Sequence, residues 1–142
     1  MVDENLLKEL KEMREKGASQ PSDALKIYEF VKQMAEESED LKEELEDIDL
    51  MVVQLVVTDV NYRYWVSLGD GKIDYGEGDA ADPSVTMSAT GATWAGLSTG
   101  ELDSTSAYMS GDLVIEGNLQ DAIAYGEIVG LATEEGAEYF ED

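Results

Sequence analysis

The stretch LMVVQLVVTDVNYRYWVSLGDGKIDYGEG, Leu50–Gly78, marks an abrupt change in the pattern of apolar residues along the chain. Before it, apolar residues recur at helical spacing between charged residues. Within it, β-branched and aromatic residues dominate, and a glycine–aspartate corner interrupts them. This pattern predicts three consecutive antiparallel strands. It also predicts an α+β domain whose sheet is built from residues after about Leu50 and whose N-terminal helices pack around that sheet.

Two helices are predicted before this stretch. Apolar residues at helical spacing between Leu6 and Met13 define a short helix that stops at Gly17. The segment SQPSDAL then interrupts the chain. A second apolar stripe, Ile27–Ile48, predicts a helix that is either long or broken near Glu39.

The part of the chain after Gly78 continues the mixed pattern. PSVTMSA alternates apolar and polar residues and predicts a fourth, half-buried strand, and DLVIEG predicts a fifth. TGATWAGLSTG and DSTSAYMSG have the composition of short helices. NLQDAIAYGEIVGLA predicts a closing helix with Leu119, Ala122, Ile123, Gly126 and Val129 on one face.

The segment SAYMSGDLVIEG, Ser106–Gly117, predicts a tight helix–strand–helix corner. Asp103 or Ser104 is expected to cap its helix, with Tyr108 and Met109 facing inward, and Gly111 to end it with a positive φ.

The closing helix that follows this corner is expected to begin at an Asn118 cap, with Asp121 at its third position. Its interior glycines, Gly126 and Gly130, each cost about 1 kcal/mol relative to alanine. They indicate a close approach at this point, either by a packed helix or by a ligand.

Composition excludes several classes of function. The 142 residues suit one domain, and with no cysteine and no histidine the chain has neither thiolate chemistry nor imidazole proton transfer. Close carboxylate pairs arise by chance among 33 acidic residues, and no phosphate-binding loop or nucleophile motif is present. We therefore expect a protein that is not an enzyme and has no cofactor and no metal site.

The net charge of −24 is unevenly distributed. Residues 1–49 hold 16 acidic and 7 basic residues, whereas residues 50–142 hold 17 acidic residues and only Arg63 and Lys72 as bases. Nucleic acids and anionic membranes need basic clusters, so neither is an expected partner. The acidic residues fit a solvated face or a contact for a basic partner.

The apolar runs of the chain are far shorter than a bilayer span, and the N-terminal MVDENLLKEL is unlike a signal peptide. We therefore expect a cytoplasmic protein without stable membrane insertion.

The segment DGKIDYGE, Asp70–Glu77, matches the back half of an EF-hand calcium loop. The front half fails, because its first and third positions fall on Val66 and Leu68, which have no oxygen ligand in the side chain. The flanking residues are also typical of strands. A β-turn with solvated carboxylates is therefore preferred to a calcium site.

The run ADPSVTMSATGATWAGLSTGELDSTSAYMSGDLVIEGNLQDA, residues 81–122, resembles the sterol carrier protein type-2 domain in its motifs and their order. Upstream, YWVSLGDGKIDYGEG is similar to the family's strand, turn and strand, so the resemblance covers about residues 50–131. It implies a five-stranded, mostly antiparallel sheet with helices on one face and an apolar tunnel between the layers. The family binds fatty acyl chains, sterols and other lipids without covalent chemistry.

The resemblance implies non-catalytic binding or transfer of an apolar lipid in an internal cavity. The alternative is an accessory or oligomerisation domain with a filled core. A homodimer is compatible with both hypotheses. Residues 1–20 are expected to be a helical extension and residues 21–142 the lipid-binding domain. The C-terminal EYFED is unlike a peroxisomal address, and a region with two bases is poorly suited to acyl-CoA phosphates.

The predicted cavity residues are those expected to point at the helix layer, although each also fits ordinary core packing. They are Val53, Leu55, Val57, Tyr62, Tyr64, Val85, Met87, Trp94, Leu97, Tyr108, Met109, Leu113, Ile115, Ile123 and Ile128.

Overall fold

The computed structural model describes residues 3–16, 24–99, 101–136 and 139, which form six helices and five strands. In chain order these elements are α1 (Glu4–Lys16), α2 (Ala24–Glu37), α3 (Glu39–Glu46), β1 (Met51–Val57), β2 (Tyr62–Gly69), β3 (Lys72–Glu77), β4 (Val85–Ala89), α4 (Gly91–Thr99), α5 (Ser104–Ser110), β5 (Val114–Gly117) and α6 (Leu119–Gly136). Every strand of the described chain starts at or after Met51, so the predicted change of period at Leu50 is confirmed.

The strands form one sheet in the order β3-β2-β1-β4-β5. The β1-β2, β2-β3 and β4-β5 pairs are antiparallel, and β1 pairs with β4 in parallel. The predicted α+β fold with a mostly antiparallel sheet is therefore confirmed.

The β2–β3 turn occupies the segment that resembles an EF-hand loop. Asp70 and Gly71 have φ values of 52° and 75°, the signs of a type I′ hairpin turn, whose twist matches that of the flanking strands. Backbone N–H groups of this turn donate to the carbonyl oxygens of Ile48 and Leu45, at 3.0 Å each. The predicted β-turn is confirmed, and it is fastened to the end of α3.

The helices α2, α3 and α6 lie on the sheet face formed by the odd-numbered residues of β1. α2 packs mainly on β3, while α6 packs on β1, β4 and β5 and also contacts α2 and α3. The core between the layers includes Val53, Leu55, Val66 and Leu68, which are at most 1% exposed. α1 adds Leu6 and Leu10 to the same core, so the N-terminal helices pack around the sheet as expected.

Local capping residues mark the helix boundaries that the sequence predicted. Ser38 separates α2 from α3, and its Oγ accepts a hydrogen bond from the Leu41 N–H at 3.2 Å, which confirms the break near Glu39. Asp103 caps α5 by accepting from the Ser106 N–H at 3.0 Å, and Gly111 ends α5 with a φ of 88°.

Asn118 caps α6 in the same way, because its side-chain oxygen accepts from the Asp121 N–H at 3.2 Å. The predicted start of the closing helix is therefore confirmed. The predicted stop of the first helix at Gly17 lies outside the described residues.

The predicted apolar face of α6 is only partly buried, and the prediction that Ile123 faces the layer is wrong. Leu119 and Ile123 are 45% and 50% exposed, and the buried positions are instead Ala122, Tyr125, Ile128 and Ala132. A β-carbon at Gly126 or at Gly130 would meet nothing within 4 Å, so no close approach occurs there within the described chain. Because α6 carries apolar residues on most sides, the spacing of its side chains did not select the face that packs.

The orientation predicted for α5 is also wrong. Tyr108 is 42% exposed and Met109 is 79% exposed, so neither side chain faces inward. Ala107 is buried in their place, and its carbonyl oxygen accepts a hydrogen bond from the Leu113 N–H at 3.0 Å. The connection from a two-turn helix to the next strand determines which face of the helix is buried. In α5 this connection buries the face that carries Ala107.

Candidate functional site

The predicted cavity residues on the strands all lie on the helix-covered face of the sheet. Alternation places Val53, Leu55 and Val57 of β1 on that face, and the strand register sets the others beside them. The remaining strand residues of the set are Tyr62, Tyr64, Val85, Met87 and Ile115. Leu113, just before β5, is 1% exposed.

One line of these residues crosses four neighbouring strands. Tyr64 pairs with Leu55, Leu55 with Met87, and Met87 with Ile115. Tyr64, Leu55 and Met87 are buried, whereas Ile115 on the edge strand is partly exposed. We call Tyr64, Leu55, Met87 and Ile115 the cross-sheet row. At the usual strand spacing the row is about 14 Å long.

The helical residues of the predicted set divide into two groups. Ile128 is buried in α6, and Trp94 and Leu97 of α4 are partly buried against the core. The Trp94 Nε1–H donates to the Val56 carbonyl oxygen at 3.0 Å, which fixes its ring beside β1. Tyr108, Met109 and Ile123 are exposed, so the structure does not bring them into the layer.

The exposed residues Tyr108, Met109, Leu119 and Ile123 are called here the apolar rim. They lie on α5 and on the first turns of α6, the two helices that precede and follow the edge strand β5. Large apolar side chains exposed on neighbouring surface elements can mark a binding surface. The rim residues belong to the two helices that adjoin β5 in the chain, and β5 is the edge strand at which the cross-sheet row ends.

Two clefts in the described chain lie elsewhere. One, of about 360 Å³, is lined by Met34, Glu37, Ser38, Glu39, Asp40, Glu135 and Tyr139. The other, of about 260 Å³, is lined by Thr58, Ser88, Ala89, Thr90, Thr93, Gly111, Asp112 and Val114. Neither contains a predicted cavity residue, so the apolar tunnel stays a prediction.

Two buried tyrosines that the sequence did not predict, Tyr28 and Tyr125, join the predicted residue Tyr64 in the helix–sheet layer. Tyr28 of α2, Tyr64 of β2 and Tyr125 of α6 are 9%, 4% and 6% exposed, and we call them the tyrosine cluster. The hydroxyls of Tyr28 and Tyr125 are hydrogen-bonded to each other, and the Tyr28 and Tyr64 rings lie 5.9 Å apart. No pattern in the sequence indicates that Tyr28 and Tyr125 meet, because only the packing of α2 against α6 joins them.

The environment of the cluster strongly favours the neutral phenol. Burial is the main cause that raises the pKa of Tyr28, Tyr64 and Tyr125, and the neighbouring hydroxyls raise or lower these values by smaller amounts. In the part of the chain that the structure describes, no basic side chain is among the groups that shift these pKa values. The cluster is therefore a polar but uncharged spot within an apolar layer.

Two carboxylates lie at the margin of this region. The Tyr75 hydroxyl donates to Glu29 at 2.6 Å, and the Tyr62 hydroxyl donates to Glu77 at 2.7 Å. Partial burial, together with Glu29 and Asp74, raises the pKa of Tyr75 to about 12. Partial burial and the neighbouring Glu77 also raise the pKa of Tyr62, so both tyrosines keep their protons at neutral pH. Glu29 and Glu77 add negative potential beside the layer.

The fold and its helix-covered apolar face define a class of α+β domain that known proteins share. The sequence model of the SCP-2 sterol transfer family matches residues 31–130. This chain belongs to that family, which confirms the resemblance seen in the motifs. Comparison with curated proteins finds no match.

Solved structures share the fold at low sequence identity. The UbiJ-SCP2 ubiquinone synthesis protein has a TM-score of 0.61 at 18% identity, with 79% of this chain and 96% of that one covered. Palmitated SCP2L2 from Aedes aegypti has a TM-score of 0.55 at 23% identity, with coverage of 72% and 90%. The inverting sec-alkylsulfatase Pisa1 from Pseudomonas sp. has a TM-score of 0.54 at 21% identity, and the match covers 63% of this chain but only 14% of the sulfatase.

The described helices include none that is both long enough and apolar enough to span a membrane.

Proposed function

We propose that this protein binds an apolar lipid reversibly, without covalent chemistry, between the sheet and the helix layer. The observation that carries the proposal is the cross-sheet row, which leads from the buried core to β5, the edge strand between the two helices that carry the apolar rim in the sequence. Membership of a sterol transfer family supports it. The structural neighbour from Aedes aegypti, described as palmitated, supports a lipid chain as the ligand of this fold.

Lipid entry requires that side chains of the layer give way. Met87 lies in the middle of the row, and methionine adapts its three rotatable bonds to irregular partners. α6 covers β1 and β4 and contains Gly126 and Gly130, which lower its helical stability. We therefore propose that α6 moves away from the sheet when a lipid enters.

The amino-acid composition supports lipid binding and transfer rather than catalysis. The whole chain contains neither histidine nor cysteine, the residues that most often transfer protons or act as nucleophiles near neutral pH. The tyrosines of the layer keep their protons because burial raises their pKa values. The proposed activity is therefore binding and transfer of an intact lipid.

Titration with fluorescent fatty-acid and sterol analogues tests the proposal. We expect saturable binding to the unmodified protein and affinity reduced about tenfold or more for Met109→Asp, because a charge placed on the rim must be desolvated beside the ligand. Met109 is 79% exposed, so this variant should remain folded. The matched control is Leu50→Asp, which introduces the same charge at a 56% exposed position before β1, away from α5.

The controls define the outcomes of this experiment. Equal losses of lipid affinity in Met109→Asp and Leu50→Asp would show that the rim is not part of the binding site. No saturable binding across a broad lipid panel would refute lipid carriage. If the protein were then found as a stable homodimer by analytical ultracentrifugation, the accessory-domain alternative would replace it.

A further inference from the structure

The tyrosine cluster contains a hydrogen-bond donor that the described chain leaves unused. The hydroxyls of Tyr28 and Tyr125 are hydrogen-bonded to each other, and Tyr64 packs beside Tyr28 with the two ring centres 5.9 Å apart. Three hydroxyls arranged around Tyr28 carry three protons, and even with a bond from Tyr28 to each neighbour they form only two mutual hydrogen bonds. Among the described residues no other side chain or carbonyl accepts the third proton.

A buried donor without an acceptor is costly. Tyr125 is 6% exposed and, like Tyr28 and Tyr64, is shielded from bulk water. A hydroxyl in such a site that donates to no acceptor lowers stability by its cost of desolvation. An oxygen atom supplied by a ligand would accept the spare proton. Because the cluster includes Tyr64, the buried end of the cross-sheet row, that oxygen would lie at the inner end of the proposed lipid path.

The charges around the cluster select the kind of oxygen. No basic group acts on the three tyrosines within the described residues, and Glu29 and Glu77 lie at the margin of the layer. The protein as a whole has a net charge of −24. An ionised carboxylate or phosphate would therefore be desolvated next to negative charge without a counter-ion. A carbonyl or hydroxyl oxygen accepts the same hydrogen bond without that cost.

We propose that the tyrosine cluster receives the polar end of a neutral lipid, through a carbonyl or hydroxyl oxygen, while the hydrocarbon chain follows the cross-sheet row toward the apolar rim. This inference rests on the proposed function and narrows it to one class of lipid. It assigns Tyr28, Tyr64 and Tyr125 to head-group recognition.

Three lipids with matched chains test the inference: oleyl alcohol, oleate and 1-octadecene. Competition against a fluorescent probe at pH 8 should rank oleyl alcohol about fivefold to tenfold tighter than 1-octadecene, the gain expected from one hydrogen bond in a dry site. Oleate, ionised at this pH, should bind more weakly than oleyl alcohol.

The variant that removes all three donors is Tyr28→Phe/Tyr64→Phe/Tyr125→Phe. Replacing mutually bonded hydroxyls by apolar groups of the same shape is close to neutral for stability, so the fold should persist. In this variant we expect oleyl alcohol and 1-octadecene to bind equally, with the affinity for 1-octadecene unchanged. Tyr139→Phe, which removes a hydroxyl that donates to Glu37 and belongs to neither the tyrosine cluster nor the apolar rim, is the control and should keep the preference.

Each outcome separates the inference from the function on which it rests. If all three lipids bind but the triple variant keeps the preference for the alcohol, the tyrosine cluster is not the head-group site. Tighter binding of oleate than of oleyl alcohol by the unmodified protein would overturn the neutral-lipid assignment, even if the triple variant failed to fold. Absence of binding by all three lipids would overturn the proposed function and the inference together.

Discussion

Gln54 is a buried polar side chain that joins β1 to β2 and to the connection between β3 and β4. It lies in the middle of β1, on the face away from the helices, and is 2% exposed. Its Nε2 donates to the carbonyl oxygens of Tyr64 and Gly78 at 3.0 and 3.1 Å, and its Oε1 accepts from the Ala80 N–H at 2.7 Å. These bonds fasten the connection from β3 to β4 as it crosses the sheet.

We expect Gln54→Leu to lower the free energy of unfolding by about 2–3 kcal/mol, because backbone groups buried beneath the crossing connection lose their partners. Urea unfolding followed by tryptophan fluorescence measures the change. The control Gln120→Leu makes the same substitution at an exposed position of α6 and should stay within about 0.5 kcal/mol of the unmodified protein. A loss of the same size in both variants would show that the Gln54 bonds contribute little.

Two glycines of the β5–α6 unit, Gly117 and Gly126, have opposite roles. Gly117 ends β5 with a φ of +103°, and a β-carbon there would lie 2.6 Å from the Ser84 carbonyl oxygen. Gly126 lies inside α6, where a β-carbon would meet nothing within 4 Å. The first glycine is required by backbone geometry and close contact. The second weakens the helix without any packing reason in the described chain.

The same substitution should therefore change stability in opposite directions. Gly117→Ala is expected to destabilise the protein by at least about 2 kcal/mol, since it adds a positive-φ penalty to a clash with backbone. Gly126→Ala should stabilise it by about 1 kcal/mol through helix propensity. Thermal and urea unfolding of the two variants check the signs. Destabilisation by Gly126→Ala would mean that α6 packs more closely than its open surface indicates.

The whole molecule carries far more negative charge than its ion pairs neutralise. The ion pairs recorded within the described chain join Lys26 to Glu9, Lys32 to Asp74 and Arg63 to Asp79, and the side chains in them are 38–64% exposed. Exposed pairs contribute little to stability. With 33 acidic and 9 basic residues, net repulsion opposes the compact state.

Added salt should therefore stabilise the fold. The screening length falls from about 10 Å at 0.1 M to about 3 Å at 1 M, which weakens repulsion among many acids more than attraction in a few exposed pairs. We expect Tm to rise steadily from low salt to about 1 M NaCl, and KCl should act equally if screening is the cause. A Tm that stays flat or falls would show that the acidic residues are too well separated to repel one another appreciably.

The sequence by itself determined the order and type of the elements, because these depend on interactions between neighbours in the chain. The change of period at Leu50, the hairpin glycine Gly71 and the caps at Asp103 and Asn118 each act within a few residues. The ordered motifs also identified the family, which the match over residues 31–130 confirms. The domain boundary at residue 20 and the lipid contacts stay predictions.

Only the tertiary structure decided which faces of the short and apolar helices are buried. Met109 of α5 and Ile123 of α6 are large apolar residues of the kind that usually fill a core. Both are nevertheless exposed, because the connections around β5 orient these helices. The tyrosine cluster could likewise not be predicted from the sequence, because Tyr28 and Tyr125 are 97 positions apart and meet only where α2 packs beside α6. The spacing of residues along the chain shows which side of an element is apolar. Which residues that side contacts depends on how elements that are distant in sequence pack together.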